Sequence, residues 1–522
     1  MKVFNTTGTC RPNQHYMVDI TERLEIIKGM VSRGDYFCIN RSRQYGKTTT
    51  LRNLKGHLEQ AGYCVFSISL ENVDNSYLSS EYSMAGAFLK LLWMCAIRGK
   101  AKNLDAKCGE EIDAFYQTHT EGCTFLDLSQ FFVQICSLNA SKIVLLVDEV
   151  DQAAGYPSFL KLLGTLRALY LTRDEDPTFQ SVVLAGVHDI KNLKLKMRPD
   201  EQHQYNSPWN IATPFDVDMS LSADGIAGML AEYKADHNLD FDEMAVATTI
   251  RDYTSGYPFL VSRICQIIDL DRLPWNREGV LAAVNKVLGE GNTLFDDFVK
   301  KFDDHPDLVK TLKGMLFGGE RYQFNYYDKS TNLALMFGFV KQDGMALAIS
   351  CRLFETWLYN YFISQEKQSP AFLQGVADRA RFVSNGVIDM PHLLERFVEH
   401  MRQTFSLDKD HKFLEENARQ IFLTYLRPII NGIGSYHIEE QTRDHERMDV
   451  VIDYLGKQYV VELKIWRGNA YNERGEEQLC RYLQHFNLST GYLLSFCFNK
   501  SKTPGLQPPV ALNGRTLIEA IV

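Results

Sequence analysis

No two cysteines stand in C-x-x-C spacing, and the 11 cysteines are scattered and odd in number. That pattern argues against both a zinc ribbon and a disulfide framework; it fits thiols kept reduced in a cytoplasm. Long apolar runs are missing too. The most apolar stretch, residues 88–97, is short and carries Lys90, so it reads as a buried helix and not a membrane span. The start, Met1-Lys2-Val3-Phe4-Asn5, lacks a signal-peptide pattern, which again leads us to expect a cytoplasmic protein. Positive charge is not in excess. With a net charge of −9 the chain is no polycation, and any nucleic-acid surface must be a local basic patch. Internal repeats and low-complexity segments are absent as well. What remains is an ordinary globular balance, 45% hydrophobic, in 522 residues. At about 100–200 residues per domain, that length holds two to four domains.

The most informative stretch of the front half is Ile39-Asn40-Arg41-Ser42-Arg43-Gln44-Tyr45-Gly46-Lys47-Thr48. An apolar run (Tyr36 to Ile39) enters a polar turn, and a helical pattern through Leu51, Leu54 and Leu58 leaves it. Backbone N–H groups of such a loop can wrap a phosphate chain, and a helix N-terminus favours its negative charge. Lys47 would reach the β- and γ-phosphates and the Thr48 hydroxyl would hold Mg²⁺. The match to G-x-x-x-x-G-K-[ST] is incomplete, because Arg41 stands where the first glycine belongs. A second half of the site follows in Ile143-Val144-Leu145-Leu146-Val147-Asp148-Glu149, an apolar strand ending in two carboxylates. Asp148 would hold Mg²⁺ through water, and Glu149 would orient the attacking water.

Together these residues resemble the AAA-like ATPases related to the STAND class, in which Arg-x-Arg-Gln-x-Gly-Lys-Thr replaces a glycine-rich start. His15-Tyr16-Met17-Val18-Asp19, Asp148-Glu149-Val150-Asp151 and Asn206-Ser207-Pro208-Trp209-Asn210 carry the likeness further, over residues 1–275. The resemblance implies ATP and Mg²⁺ as cofactors. It also implies nucleotide contacts from Arg43, Gln44, Tyr45, Gly46, Lys47, Thr48 and Thr49, with Asp148 on the metal. It places His15-Tyr16-Met17 beside the base, against the plainer reading of packing residues. Either His188 or Asp189, after the strand 181–185, would sense the γ-phosphate, the equal and plainer reading being loop residues. Arg167 or Arg173 would act as an arginine finger toward a neighbouring copy in a homo-oligomer, the plainer reading being solvated helix-surface arginines. Ser255-Gly256-Tyr257-Pro258 resembles the Gly-x-Pro turn of the STAND lid.

Further on, Phe337–Leu347 reads as strand, Asp-Gly turn and strand, with an amphipathic helix at Arg352–Ser364. This resembles the winged-helix module that follows such lids. Its sparse basic residues favour relaying nucleotide state over reading DNA. Gln365–Pro370 is polar and reads as a linker.

The rear of the chain carries different chemistry. After a helix at His411–Leu426, Arg447-Met448-Asp449-Val450-Val451-Ile452 and Gln458-Tyr459-Val460-Val461-Glu462-Leu463-Lys464 read as two strands around a turn. Alternation puts Glu462 and Lys464 on one face, and a hairpin would bring Asp449 to Glu462. Two carboxylates and a lysine on one sheet face are costly unless they bind a cation, and hard oxygen ligands suit Mg²⁺. The Asp…Glu-x-Lys arrangement, a helix with Gln478 and Tyr482, and the strand Gly491–Phe496 resemble the PD-(D/E)XK nuclease superfamily over residues 395–500. That resemblance implies Asp449 and Glu462 as metal ligands, with Lys464 activating the water and Gln478 beside them.

The fold expected is therefore α/β: a P-loop NTPase parallel sheet with a helical lid and a winged-helix-like module, then a separate α/β nuclease-like domain. The boundaries are 1–220 for the ATPase core, 221–275 for the lid, 276–365 for the winged-helix-like module, 366–394 for a linker or helical connection and 395–522 for the nuclease-like domain. The expected function is ATP-gated, Mg²⁺-dependent cleavage of DNA (or RNA), in defence against foreign DNA. The alternatives are a STAND-type switch whose rear domain only binds nucleic acid, and an ATPase of DNA repair or transposition.

Overall fold

The computed structural model describes residues 2–99, 101–119, 122–187, 208–318, 322–325, 327–384, 387–405, 411–430, 434–439, 448–454, 457–465, 479–480, 483–484, 488–497 and 503–522. It divides into two compact units: Met1–Ala283 with Met336–Gly338, and Val284–Leu335 with Phe339–Val522.

In the first unit, α1 (Thr21–Ser32) precedes β1 (Phe37–Asn40), α2 (Lys47–Gln60) and β2 (Cys64–Ser69). Helices α3 (Asn75–Leu78), α4 (Glu81–Trp93), α5 (Ala106–Thr118) and α6 (Phe125–Leu138) lead to β3 (Ile143–Asp148). Then α7 (Pro157–Leu171) leads to β4 (Ser181–Gly186). All pairings in this sheet are parallel, in the order β1-β4-β3-β2, so β4 separates the strand before the phosphate loop from the strand ending in Asp148. A parallel bridge from Phe37 to Thr213 adds chain on the outer side of β1.

Every residue of β3 and β4 is buried, as expected where helices cover both faces of a parallel sheet. Alternation then sorts the strands between two cores. Leu145, Val147, Val182 and Leu184 pack with Phe88, Phe132 and Leu163 of α4, α6 and α7. Val144, Leu146, Val183 and Ala185 pack with Ile27, Leu54 and Leu58 of α1 and α2. The apolar stretch 88–97 buries Phe88, Leu89 and Leu92 and leaves Lys90 exposed, and it ends in a π-helical turn, Met94–Arg98. Among the described residues no helix is long and apolar enough to cross a membrane. Helices α8 (Ala223–His237), α9 (Glu243–Thr254) and α10 (Pro258–Leu270) complete the unit, and α11 (Arg277–Gly289) spans the division.

The second unit begins with α12 (Thr293–Asp304), α13 (Pro306–Lys313) and α14 (Lys329–Met336). A hairpin of β5 (Val340–Asp343) and β6 (Ala346–Ile349) follows, with Gly344 at φ 61 supplying the left-handed turn residue, and then α15 (Arg352–Ser364). Phe298, Phe302, Phe339, Phe354 and Trp357 stack into its aromatic core. The polar stretch expected as a linker forms a turn after α15 and leads into α16 (Pro370–Phe382). Strands β7 (Val383–Ser384) and β8 (Val387–Ile388), α17 (Met390–Thr404) and α18 (His411–Ile430) come next. Close approach of α16 to α18 requires Gly375, where a Cβ would lie 2.1 Å from the Tyr425 carbonyl oxygen.

The remaining strands are β9 (Gly434–Glu439), β10 (Met448–Tyr454), β11 (Lys457–Ile465), β12 (Thr490–Phe496), β13 (Gly505–Leu506), β14 (Val510–Leu512) and β15 (Arg515–Ile521). They form a mixed sheet in the order β13-β15-β12-β11-β10-β9, with β14 also on β15. Strands β9, β10 and β11 pair antiparallel, whereas β12 is parallel to both β11 and β15.

Candidate functional site

The loop from Arg41 to Gly46 leaves the C-terminal end of β1 and enters α2. Gln44 (φ 56) and Gly46 (φ 80) both take left-handed backbone conformations, which let successive N–H groups curl into an anion-binding concavity. Lys47 is buried, and its Nζ donates to the carbonyls of Arg41 (2.9 Å) and Ser42 (3.0 Å). Burial holds its ammonium below the ordinary lysine range, opposed by the carboxylates of Asp151, Glu149 and Asp148. The fold thus brings together Lys47 and three acids from the end of β3.

Asp148 is buried and opposite Ser69 in the sheet register, and its Oδ1 accepts from the Glu149 N–H at 2.9 Å. Glu149 itself is left-handed (φ 53), and burial followed by the neighbouring Asp148 pushes its carboxyl above the usual range. Asp151 has a role that the sequence reading did not assign. Its Oδ2 accepts from the Val187 N–H at 2.6 Å, tying the turn after β3 to the end of β4. Gly186 permits that contact, since a Cβ there would lie 2.8 Å from Val150 Cγ2 and 3.0 Å from Asp151 Oδ1.

Arg41 explains the incomplete motif. Its guanidinium donates to the carbonyls of Asn40 (2.9 Å) and Val217 (2.9 Å), contacts that of Phe215 (3.4 Å), and lies over the Phe215 ring. The residue in place of the first glycine is therefore a structural tie across the end of the sheet. Arg43 and Thr48 are exposed, and Gln44, Tyr45 and Gly46 are half-buried. The Thr49 hydroxyl accepts from the Cys10 N–H at 3.2 Å, so the N-terminal segment reaches α2. Tyr16 is buried among Phe4 and Tyr233, with its hydroxyl donating to Asp236 Oδ2 at 2.9 Å, and His15 Nδ1 accepts from the Arg11 N–H.

The turn before α10 also meets the loop. Tyr257 is buried against Tyr45, with ring centroids 4.7 Å apart, and its hydroxyl lies at Ser42 and Arg43. The arginines expected as fingers have partners within the unit: Arg167 Nε donates to Asn210 Oδ1 (2.9 Å) and Arg173 Nη1 to the Gly34 carbonyl (2.9 Å). His188, Asp189, Asn206 and Ser207 lie outside the described residues.

In the second unit, Asp449 is the register partner of Glu462 across β10 and β11, and of Glu439 across β9 and β10. Glu462 and Lys464 are both buried, two residues apart and hence on one face. That face is apolar along Val451, Val460, Leu493 and Leu517, which pack with Leu479 and Leu483. Farther along the same strands it turns polar. Lys464 is in register with Ser495, whose Oγ donates to Glu519 Oε1 at 2.6 Å. The Asp449 side chain, Gln478 and Tyr482 lie outside the described residues.

A parallel sheet with β4 inserted between the phosphate-loop and acidic strands, a left-handed loop and a buried Lys47 define a P-loop NTPase-type α/β fold. The chain belongs to the AAA-like domain family, whose model matches residues 9–360. Solved structures similar to it include a Walker-type ATPase of Pyrococcus abyssi, at 12% identity over 68% of this chain and 99% of that one, TM-score 0.48. The ORC2 protein of Aeropyrum pernix, in ADPNP and ADP complexes, is 14% identical over 69% of this chain and 97% of that one, TM-score 0.38. The ORC1 protein of the same organism, in complex with DNA, is 14% identical over 67% and 94%, TM-score 0.30. No curated protein matches the chain.

Proposed function

We propose that this chain binds and hydrolyses ATP at the Arg41–Thr49 loop and uses its nucleotide state to gate a Mg²⁺-dependent, nuclease-like rear domain acting on DNA. The observation that carries the front half is the convergence of buried Lys47 with Asp148, Glu149 and Asp151. A buried cation beside an anion-binding loop suits a polyphosphate, and the hard oxygens of Asp148 and Thr48 suit Mg²⁺. Mg²⁺, when bound, would neutralise phosphate charge. Lys47 binds and orients the β- and γ-phosphates, Thr49 and the loop N–H groups hold the chain of phosphates, and Glu149 orients a water and takes its proton. We assign residues 1–220 to the ATPase core, 221–275 to a lid, 276–365 to a winged-helix-like relay and 395–522 to the nuclease-like domain.

The rear reading rests on Asp449 and Glu462 as register partners, with buried Lys464 on the Glu462 face. Burying a lysine and a glutamate on one face is costly without a role for their charges. The strand order, an antiparallel meander followed by parallel β12, supports a PD-(D/E)XK-like core, in which Asp449 and Glu462 would hold the metal and Lys464 the attacking water. The test incubates purified protein with plasmid, single-stranded DNA and RNA, with and without Mg²⁺ and ATP. Cleavage that needs Mg²⁺, changes with ATP and disappears in Asp449→Asn and Lys464→Ala is expected. ATP turnover without cleavage of any substrate would reduce the rear domain to a binding module and end the nuclease reading.

A further inference from the structure

The turn at Ser255-Gly256-Tyr257-Pro258 is built to aim one side chain. Gly256 is left-handed (φ 73), and a Cβ there would lie 2.2 Å from the Leu221 carbonyl oxygen. Its carbonyl accepts from the Leu221 N–H at 2.8 Å, its N–H donates to Thr254 Oγ1 at 3.1 Å, and Arg251 Nη1 donates to the Leu221 carbonyl at 2.9 Å. From this braced turn Tyr257 enters the phosphate loop. It is 3% exposed, its hydroxyl donates to the Arg43 carbonyl, and it lies 3.1 Å from Ser42 Oγ. One donor and one acceptor role are open to a phenol, and the two contacts use both. The following Pro258 comes within 3.9 Å of the Cβ position at Gly46.

Three successive loop carbonyls are thereby engaged: Arg41 and Ser42 by Lys47 Nζ, and Arg43 by Tyr257. In a planar trans peptide the carbonyl and the next residue's N–H point in opposite directions. Holding the Arg43 carbonyl therefore fixes the direction of the Gln44 N–H, at the left-handed residue where the loop curls. The lysine is expected to turn to phosphate when one arrives, whereas the Tyr257 contact comes from outside the loop.

We infer that Tyr257 is a positioning residue for phosphate: by holding the Arg43 carbonyl it orients the Gln44 N–H and couples the packing of α10 to the shape of the loop. This rests on the reading of the Arg41–Thr49 loop as the nucleotide site. The test is Tyr257→Phe, which keeps the ring against Tyr45 and removes only the hydroxyl. Affinities for ATP, inorganic tripolyphosphate and adenosine are measured by calorimetry, with the thermal midpoint of the ligand-free protein as the folding control. Losing a neutral hydrogen bond is expected to weaken ATP and tripolyphosphate by about three- to tenfold, with adenosine affinity unchanged and the midpoint lowered by no more than about 5 °C. Tyr257→Leu, which also removes the ring contact, should weaken both phosphate ligands further. Wild-type affinity of Tyr257→Phe for tripolyphosphate would overturn the inference. So would an equal loss for adenosine, which would place the hydroxyl at the base. Failure of the wild-type protein to bind ATP or tripolyphosphate would remove the nucleotide-site reading, and the inference with it.

Discussion

Restoring the glycine that the phosphate-loop pattern expects should damage this protein. Arg41→Gly completes G-x-x-x-x-G-K-[ST] on paper but deletes a half-buried guanidinium bonded to the Asn40 and Val217 carbonyls at 2.9 Å each. A hydrogen bond from a charged donor contributes about 1.5–3 kcal/mol net. The Val217 bond counts in full, and the Asn40 bond, to the adjacent residue, counts for less. Glycine adds roughly 0.5–1 kcal/mol of backbone entropy lost on folding. Against these stands relief from burying the cation, a cost visible in the lowered guanidinium pKa, for which burial is the main cause. The balance is a destabilisation of about 2–4 kcal/mol. In scanning calorimetry the transition that ATP raises, which reports the first unit, should fall by roughly 4–10 °C. An Arg41→Gly protein as stable as the wild type, or more so, would show that the tie contributes nothing net and that Arg41 is retained for another reason.

Lys47→Ala should abolish ATP binding in calorimetry while leaving the circular dichroism spectrum unchanged, because on the proposed reading its ammonium leaves the Arg41 and Ser42 carbonyls for phosphate; wild-type affinity would refute the site. Glu149→Gln should bind ATP normally and hydrolyse it at least about 100-fold more slowly, the lower end of general-base effects; unchanged turnover would place the base elsewhere. The raised pKa of Glu149 also gives a signed pH effect. Its ionised form costs stability above the folded pKa, so Glu149→Gln should raise the thermal midpoint at pH 7–8, and the difference should vanish below about 4.5, where both states are protonated. In the wild type the acid limb of kcat/KM for ATP should lie above that same ordinary value. Asp449→Asn and Lys464→Ala should leave ATP hydrolysis nearly intact, and a matching loss of both activities would argue against separate sites.

Much of the front unit could be read from the chain because its signals are local. Alternating strand and helix patterns, a polar turn before Lys47 and an apolar run ending at Asp148 each arise within about ten residues, where hydrophobic period and backbone chemistry act directly. The pairing of Asp449 with Glu462 likewise follows from two short strands joined by a turn. Strand order was not contained in those patterns: the insertion of β4 between β1 and β3 depends on which buried faces find one another in the folded chain. The polar stretch at residues 365–370 forms the turn between α15 and α16, but the packing of α16 on α18, where Gly375 meets the Tyr425 carbonyl, has no local signature.

The sequence by itself determined which residues bring charge and backbone freedom to the proposed sites, since lysine, carboxylate and glycine act through properties that each residue brings with it. Only the tertiary structure decided which neighbours control them. Arg41 meets the Val217 carbonyl 176 residues away, and Tyr257 meets Ser42 across 215. Neither contact has a local signature, because an arginine in a turn and a tyrosine before a proline are compatible with many surroundings. Closure of such distant contacts is set by packing of the two cores on either side of the sheet, which brings the ends of the strands, the loop and the turn before α10 to one place.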